Sequence, residues 1–323
     1  MRIVVIGATG HVGGYLVPRL VRAGHEVVAV SRGQREPYRA DEAWASVQRI
    51  DMDREAEDAA GTFGQHIAEL RPDVVVDMIC FTRASAEQLV DALRGRVRIL
   101  VSCGSIWSRG ILTEVPATED APLNGWGTYG TGKAQLEAYL LGQSRTPAGV
   151  PAVVIDPGHI SGPGWHVINP AGNLDLSVWE RLAFGEQVIL PDSGLGMLHH
   201  VHADDVAQLF QLAIEHPELA AGNAFFAVSP QALTLRGFAE TAAGWFGSEA
   251  RLGYIPLSEY ASAVGEEHAQ TTVEHVARSH AMSIEKAGRM LGYTPAYSSL
   301  QATREAVEWL NDNGAFARRL PFA

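Results

Sequence analysis

The feature that most constrains this chain is a glycine-rich stretch directly after its first apolar run. Ile3 to Ile6 is short and continuously apolar, as expected of a strand buried on both faces. The next seven residues have GxxGxxG spacing and lead into a helical pattern that ends at Gly24. Such glycines permit a tight turn, close approach of backbone to a pyrophosphate, and close packing of helix on sheet. We predict a dinucleotide site, the alternative being an ordinary tight turn, with these cofactor-binding residues: Gly7, Thr9, Gly10, His11, Val12 and Gly13.

Apolar strands and amphipathic helices alternate over the first half of the chain. The pattern predicts strands at 27–30, 74–76, 97–101 and 152–155, and helices at 12–23, 54–70, 84–93 and 131–141. This order is typical of right-handed βαβ units on a parallel sheet. After residue 157 glycine and proline cluster, and helices are predicted near 203–215, 234–245 and 299–311. We predict an α/β protein: a doubly wound Rossmann domain over 1–157, to which parts of 197–230 return, and a smaller α/β substrate domain over most of 158–323.

Composition narrows the class of protein. The 323 residues are 46% hydrophobic and 19% charged, which suits a folded soluble enzyme. The formal net charge of -12 opposes binding to phosphate backbones, so no nucleic-acid partner is expected. Two cysteines outside any CxxC pair fit a reducing, cytoplasmic compartment. The first apolar run is too short for a signal sequence, and no run is long enough to span a membrane.

The residues after the second predicted strand indicate which nicotinamide cofactor would bind. NAD-binding proteins usually place an acidic residue there to hold the ribose hydroxyls. This chain has Ser31 and Arg32 instead, and an arginine can pair with the extra phosphate of NADP. We therefore expect NADP, with NAD as the alternative if Arg32 is solvated or stacks on adenine. Asp51 and Met52 follow the third predicted strand, where adenine would lie.

Tyr129 and Lys133 are four residues apart, so on a helix they share one face. A nearby cation stabilises phenolate and lowers the pKa of a tyrosine, which makes the phenol a usable acid or base. We predict that Tyr129 is the catalytic acid/base and that Lys133 tunes it and holds the nicotinamide ribose. The alternative is a packed tyrosine beside a lysine whose stem covers apolar surface.

Taken together, these motifs resemble the extended short-chain dehydrogenase/reductase family, the NAD(P)-dependent epimerase/dehydratase group. The similarity also covers residues 156–159, 201–207 and 286–295. It implies a Rossmann domain, a substrate domain and hydride transfer on a small hydroxy, keto or sugar substrate. It further places Pro157 and His159 beside the cofactor. Relatives often form homodimers through the helix that carries the tyrosine and its neighbour, so five apolar residues have two possible roles. They form a four-helix contact between two copies, or they pack on the sheet within one chain: Leu89, Leu93, Leu136, Tyr139 and Leu140.

The chain departs from the family where a hydroxyl usually polarises the substrate oxygen. The expected position falls on Cys103, and a thiol is a poor donor. Ser105 is our preferred replacement, and Ser102 is a third candidate. The alternative is that these small residues only permit a tight turn beside the cofactor.

Other departures concern the substrate and the cofactor wall. Leu198 stands where nucleotide-sugar enzymes often carry an arginine, and Asp156 replaces a common asparagine. Both changes lower the expectation of a nucleotide diphosphate sugar. Met78 and Ile79 are bulkier than the small residues usual there, which suggests a modified nicotinamide or ribose wall.

Histidines and tryptophans supply the remaining candidates. His199, His200 and His202 suggest a chelate, but no clear ligand set completes it, so we expect structural histidines and no metal. Trp107 and Trp126 flank the tyrosine segment and are candidates for substrate stacking, with core packing as the alternative.

The leading functional prediction is an NAD(P)-dependent oxidoreductase or epimerase. The rival is a catalytically altered relative that acts as a nucleic-acid-binding or redox-sensing regulator. The altered hydroxyl segment and the bulky Met78 region favour the rival, whereas the Tyr129/Lys133 pair and the net charge of -12 oppose it.

Overall fold

The computed structural model describes residues 1–37 and 39–323. Its centre is a seven-stranded sheet in which every neighbouring pair is parallel, with strand order β11-β6-β5-β4-β1-β2-β3. This is the predicted doubly wound Rossmann sheet. Its strands are β1 (Arg2–Ile6), β2 (Glu26–Ser31), β3 (Gln48–Asp51), β4 (Val74–Asp77), β5 (Ile99–Cys103), β6 (Ala152–Pro157) and β11 (Ala224–Ala227).

Helices cover both faces of the sheet, because alternate residues of each buried strand point to opposite sides. Ile3 and Val5 of β1 pack in one apolar cluster with α1 and α7, while Val4 and Ile6 pack with α3, α4 and α5. The helices of this half are α1 (Gly13–Arg22), α2 (Arg54–Ala60), α3 (Phe63–Glu69), α4 (Arg83–Leu93), α5 (Gly127–Ser144), α7 (Ala203–Glu215), α8 (Pro217–Ala220) and α12 (Glu285–Leu291).

One sequence-based expectation is corrected here, and the packing of one residue set that was left open is now described. The single helix predicted over 54–70 is two helices, because Gly61 adopts a left-handed conformation with φ of 70° and ends α2. The leucines offered for a four-helix contact between copies are buried inside this chain. They pack on the central sheet, which was one of the two options that the sequence left open. Tyr139 is the only member of the set that is partly exposed, and the four leucines are 0–1% exposed: Leu89, Leu93, Leu136 and Leu140.

The remaining elements comprise three two-stranded sheets, β10-β7, β12-β9 and β13-β8, and five helices. A further apolar cluster lies among them around Trp179, Phe238 and Leu310, whereas Ile160 and Val201 pack with the α1 side of the central sheet. The strands are β7 (His159–Ser161), β8 (Gln187–Pro191), β9 (Met197–Leu198), β10 (His200–His202), β12 (Leu233–Thr234) and β13 (Arg251–Ile255). The helices are α6 (Ser177–Ala183), α9 (Leu235–Gly244), α10 (Ala261–Val264), α11 (Glu266–Val276) and α13 (Ser299–Asp312).

Short 3-10 helices complete the fold at Glu42–Ser46, Ile106–Arg109 and Leu257–Glu259. The predicted domain boundary at residue 157 stays a prediction. No helix in the described part of the chain is long and apolar enough to cross a membrane.

Candidate active site

A cleft of about 570 Å³ lies at the carboxyl edge of the central sheet. The strand register aligns Ile6 with Asp77, Asp77 with Ser102, and Cys103 with Ile155, so the segments after β1, β4, β5 and β6 meet there. In open parallel sheets ligands bind at this edge, where helix N-termini and loops converge. Of the predicted site residues, the cleft gathers Gly7, Gly10, His11, Val12, Gly13, Met78, Ile79, Cys103, Ser105, Tyr129, Lys133, Pro157 and His159.

The glycine loop leaves space that any side chain would fill. Gly7 has a φ of +83°, and a Cβ there would lie 2.9 Å from Cγ2 of Ile79. A Cβ on Gly13 would lie 2.2 Å from the carbonyl oxygen of Ala8, so the start of α1 packs against the glycine loop only without a side chain there. The start of α1 therefore opens directly into the cleft. This cradle fits the pyrophosphate of a dinucleotide, because a helix N-terminus offers free N–H groups to an anion.

A second pocket of about 280 Å³ continues the cleft toward the end of β2. The two share Gly7, Gly10, Arg35 and Ile79, so they form one groove. The second pocket contains the predicted Thr9, Ser31, Arg32 and Met52, together with residues that the sequence analysis did not select: Gln34, Arg54 and Phe63.

Asp51 is not among the described residues that line this pocket. Its carboxylate lies against the turn at Gly33 instead, 2.6 Å from where a Cβ of that glycine would stand. The predicted adenine contact is therefore assigned to Met52 alone.

Arg54 is the main residue of this groove that sequence reasoning missed. It is buried and pairs with Asp77 at the end of β4 and with Asp58 at 3.3 Å. Among the described residues, its Nη2 is buried without a hydrogen-bond partner. A buried donor left unpaired is costly, and an anionic or carbonyl group of a bound nucleotide would satisfy it.

Tyr129 and Lys133 lie on α5, one turn apart, at the opposite end of the cleft from Arg32. The Lys133 Nζ donates to the carbonyl oxygens of Cys80 at 2.8 Å and Cys103 at 2.7 Å. It lies 5.8 Å from the centre of the Tyr129 ring. The ammonium thus ties the ends of β4 and β5 together while remaining beside the phenol.

The expected lowering of the Tyr129 pKa by Lys133 is wrong for the protein alone. Burial of the hydroxyl raises the pKa of Tyr129 to about 12, with the Cys103 thiol adding to the rise and a hydrogen bond with Ser105 opposing it. Lys133 donates to two backbone carbonyls, so its charge does not offset the partial desolvation of the phenol, although Tyr129 as a whole is 44% exposed. Tyr129 is therefore protonated at neutral pH.

Ser105 lines the same cleft as Tyr129 and is the hydroxyl that opposes the rise in the pKa of Tyr129. Its Oγ caps the 3-10 helix at Ile106–Arg109 by accepting from the Trp107 N–H at 3.2 Å. Cys103 also borders the cleft, but burial raises the pKa of its thiol to about 11, so it stays neutral. Ser102 is 1% exposed, and its Oγ has no hydrogen-bond partner in the described part of the chain. The preferred candidate and the thiol thus reach the cleft, and Ser102 does not.

A buried charge network supports the Ser105 segment from below. The Ser105 N–H donates to Asp156 Oδ1 at 2.7 Å. Arg109 forms a two-point ion pair with Glu137, at 2.7 and 2.9 Å, and its Nη2 lies 3.7 Å from Asp156 Oδ2. Burial, and then the neighbouring Glu137, raise the pKa of Asp156 well above its ordinary value. One arginine facing two buried carboxyls favours protonation of Asp156.

The three histidines of the suspected chelate have structural partners. His199 bonds to the Ser229 carbonyl at 2.8 Å and accepts from the Met282 N–H at 3.0 Å. His200 contacts Ser161 at 3.0 Å, and His202 caps α7. Burial lowers their pKa values to about 4, 3 and 4, so they are neutral at pH 7. Within the described residues, no group of three or more His, Cys, Asp or Glu could hold a metal ion.

The wall opposite the glycine loop is mostly apolar and aromatic. It includes Phe81 after β4 and Trp107, whose ring meets Tyr129 edge-on at 5.5 Å. Trp165 stacks on His11 at 5.2 Å, so the segment after β7 lies over the glycine loop. Trp126 is not among the described residues that line the cleft, which corrects its suggested role in stacking on substrate. Sequence reasoning also missed Leu174 and His275, which come from distant segments without a local motif.

Comparisons with known proteins agree with this arrangement. The model of the NAD dependent epimerase/dehydratase family matches residues 3–228. A 2'-dehydrokanamycin reductase of Streptomyces kanamyceticus is 28% identical over 216 residues, which cover 64% of this chain and 55% of that protein. The match thus spans just over half the length of the reductase.

Solved structures share the fold. A UDP-glucose 4-epimerase from Thermotoga maritima, with UDP-glucose, superposes with a TM-score of 0.72 at 19% identity, covering 97% of this chain and 99% of that one. The Bordetella bronchiseptica enzyme WbmG, in complex with NAD, gives 0.73 at 17% identity, covering 97% and 95%.

Proposed function

This chain belongs to the NAD-dependent epimerase/dehydratase family, and from that premise we propose that it is an NADP-dependent oxidoreductase or epimerase with Tyr129 as acid/base. The observation that carries the proposal is that Tyr129, Ser105 and buried Lys133 line the same cleft, which is continuous with the glycine loop. A nicotinamide bound in that groove would supply or accept hydride.

Each side chain then has a defined task. The Tyr129 hydroxyl gives a proton to the substrate oxygen or takes one from it, and Ser105 holds that oxygen by a hydrogen bond. Lys133 has three N–H donors, of which two hold backbone carbonyls, and the third serves the ribose hydroxyls. Asp156 holds the Ser105 backbone in place at 2.7 Å.

The protonation state favours one direction. With a pKa of about 12, Tyr129 carries its proton at neutral pH and can donate it to a carbonyl that is being reduced. Oxidation of an alcohol needs the phenolate, so its rate should rise with pH above neutrality. We infer that carbonyl reduction is the faster direction near pH 7.

Replacing Tyr129 with Phe tests the mechanism. We expect a loss of at least about 100-fold in kcat, because the proton donor is removed, with unchanged stabilisation by NADPH. Tyr254→Phe is the matched control, since Tyr254 is 42% exposed on β13, outside the cleft. Full activity in Tyr129→Phe would refute the assignment.

The preference for NADP rests on Ser31, Arg32 and Arg35 around the second pocket. A ligand at 100 times its dissociation constant stabilises a fold by about 2.7 kcal/mol. An unfolding entropy of about 2.1 cal/mol/K per residue over 323 residues gives ~0.7 kcal/mol/K, so the expected rise in Tm is ~4 °C. We expect that rise with NADPH and NADP⁺, a smaller one with NADH and NAD⁺, and loss of the difference in Arg32→Ala. An equal rise with all four nucleotides would leave the enzyme but remove the NADP preference.

The redox-sensing alternative is disfavoured by its own chemistry. A sensor needs an accessible thiolate, whereas burial raises the pKa of Cys80 to about 12 and that of Cys103 to about 11. Both thiols are buried.

A further inference from the structure

The part of the cleft beyond Tyr129 is lined by bulky apolar and aromatic side chains. We call this part the aromatic end, and its residues are Phe81, Trp107, Ile168, Leu174 and His275. They come from segments far apart in the chain and face the same cavity as Tyr129 and Ser105. Trp107 and Phe81 lie closest to the proton donor, with ring centres 5.5 and 6.4 Å from that of Tyr129.

Charge is nearly absent from this end. Among the described residues that line the cleft, the only Arg, Lys, Asp or Glu are Arg35 and Lys133. Arg35 belongs to the cofactor side, because it also borders the pocket at Ser31. Lys133 lies 4.8 Å from the centre of the Phe81 ring, but its ammonium is committed to two backbone carbonyls. Four histidines also line the cleft. Burial lowers the pKa of His159 well below its ordinary value and those of His11 and His275 to about 4, so these three imidazoles are neutral at pH 7, whereas His166 is exposed to solvent. A diphosphate buried here would lack the cations that such groups require.

An arginine packed against the Trp107 ring is also unavailable for that purpose. Arg278 is 3% exposed, and its guanidinium carbon lies 3.9 Å from the Trp107 ring centre and 4.6 Å from that of Trp126. Its Nη2 donates to the Trp126 carbonyl oxygen at 2.9 Å. To reach a phosphate it would have to leave both indoles. It serves instead as a cationic support that holds Trp107 against the cleft.

Leu198, at the position where a diphosphate-binding arginine would be expected, is also withdrawn. It lies fully buried in the apolar cluster around Trp179 and is not among the described residues that line the cleft. Neither Leu198 nor Arg278 therefore brings a positive charge to the aromatic end, because one is an aliphatic side chain in the core and the other is a guanidinium covered by rings.

We propose that the substrate is a small, uncharged aromatic ketone or the corresponding alcohol, whose ring lies in the aromatic end and whose oxygen meets Tyr129 and Ser105. The part of this inference that concerns the substrate oxygen rests on the proposed function, in which Tyr129 exchanges a proton with that oxygen. The ring's place follows from the side chains alone, because aromatic faces and edges pair well and the cavity offers no compensation for charge.

The test compares three ketones of increasing resemblance to that description: acetone, cyclohexyl methyl ketone and acetophenone. Oxidation of NADPH is followed with each. We expect kcat/KM to rise in that order, with acetophenone at least about tenfold above acetone, because ring burial is realised in the transition state. Equal values for all three would overturn the proposal.

Binding is measured separately in Tyr129→Phe loaded with NADP⁺, where turnover does not interfere. Acetophenone should quench tryptophan fluorescence, since Trp107 and Trp165 border the cavity, and UDP-glucose should not. Tighter binding of UDP-glucose than of acetophenone would overturn the substrate class. Quenching by acetophenone without turnover in the unmodified enzyme would refute the proposed function and leave the substrate class standing.

Leu174→Arg provides a variant that folding should tolerate, because this side chain is 46% exposed. A cation introduced there should lower kcat/KM for acetophenone about tenfold or more, while stabilisation by NADPH is unchanged. Leu195→Arg is the matched control, since Leu195 is 63% exposed outside the cleft. An equal effect of the two variants would count against the aromatic end as the substrate site.

Discussion

The buried pair of Arg109 and Glu137 should be one of the most sensitive points of the fold. Arg109 is 2% exposed and makes a two-point contact with Glu137 at 2.7 and 2.9 Å. Arg109→Met removes the only described cation within ion-pair distance of Glu137 and Asp156, and leaves the Glu137 carboxylate in the interior. Breaking such a pair on one side costs about 3–5 kcal/mol, because the remaining charge keeps its desolvation penalty.

We therefore expect Arg109→Met to lose ~4 kcal/mol in the free energy of unfolding. With the unfolding entropy of about 2.1 cal/mol/K per residue over 323 residues, this corresponds to a fall of ~6 °C in Tm. Urea unfolding at pH 7 gives the free energy directly, and calorimetry gives the Tm. The double variant Arg109→Met with Glu137→Leu should recover part of the loss, because no unpaired Glu137 charge remains.

Three outcomes bear on this reasoning. A loss below about 1 kcal/mol in Arg109→Met would mean that water reaches Glu137, so the pair is not buried in solution. If the loss of unfolding free energy in the double variant equals the sum of the losses in the two single variants, Arg109 and Glu137 are not energetically coupled. Arg304→Met is the control, because its pair with Glu308 is 40% exposed on both sides and should cost little.

Further changes test other parts of the site. Asp156→Asn should flatten the decline of the unfolding free energy with rising pH. Because the pKa of Asp156 is raised in the folded protein, its proton stabilises the fold fully below the ordinary pKa of 3.8, and this contribution is lost as the pH rises toward the folded pKa. Urea unfolding of the variant and the wild type at a series of pH values measures the difference. His199→Gln should weaken acid destabilisation between pH 6.5 and about 4, because the lowered pKa of His199 favours the fold above that window only; an unchanged slope would contradict this. Gly13→Ala should abolish stabilisation by NADPH, since a Cβ there lies 2.2 Å from the Ala8 oxygen.

The sequence predicted the elements whose determinants are local. The helix expected at 203–215 is α7, Ala203–Glu215, and the glycine loop lies between β1 and α1 as its spacing implied. The start of α5 was placed four residues late, because Gly127, Gly130 and Gly132 have poor helix propensity and their backbone is held by tertiary contacts. The sequence did not predict that the helix ends at Gly61. A glycine ends a helix when it adopts the left-handed conformation, and the sequence alone does not reveal that conformation.

The candidate site was predictable where its residues belong to local motifs. Gly7, Arg32 and Tyr129 belong to motifs whose spacing relates them to a nucleotide. Leu174, His275 and Arg54 carry no such pattern, because they reach the groove through the folding of segments that are distant in the chain. The pKa of Tyr129 was mispredicted for a related reason: burial outweighs a charge four residues away, and burial is a property of the whole fold.

The order of strands in the sheet has a consequence for how the chain is made. β6 ends at Pro157, yet its neighbour β11 begins at Ala224, so a ribosome must add more than sixty residues before this edge can be covered. During that interval the backbone N–H and C=O groups of residues 154–157, which later pair with β11, are exposed to other nascent chains. Translation speed across residues 158–223 therefore sets how long the chain is open to misassembly, and slow codons there would lower its yield of folded protein.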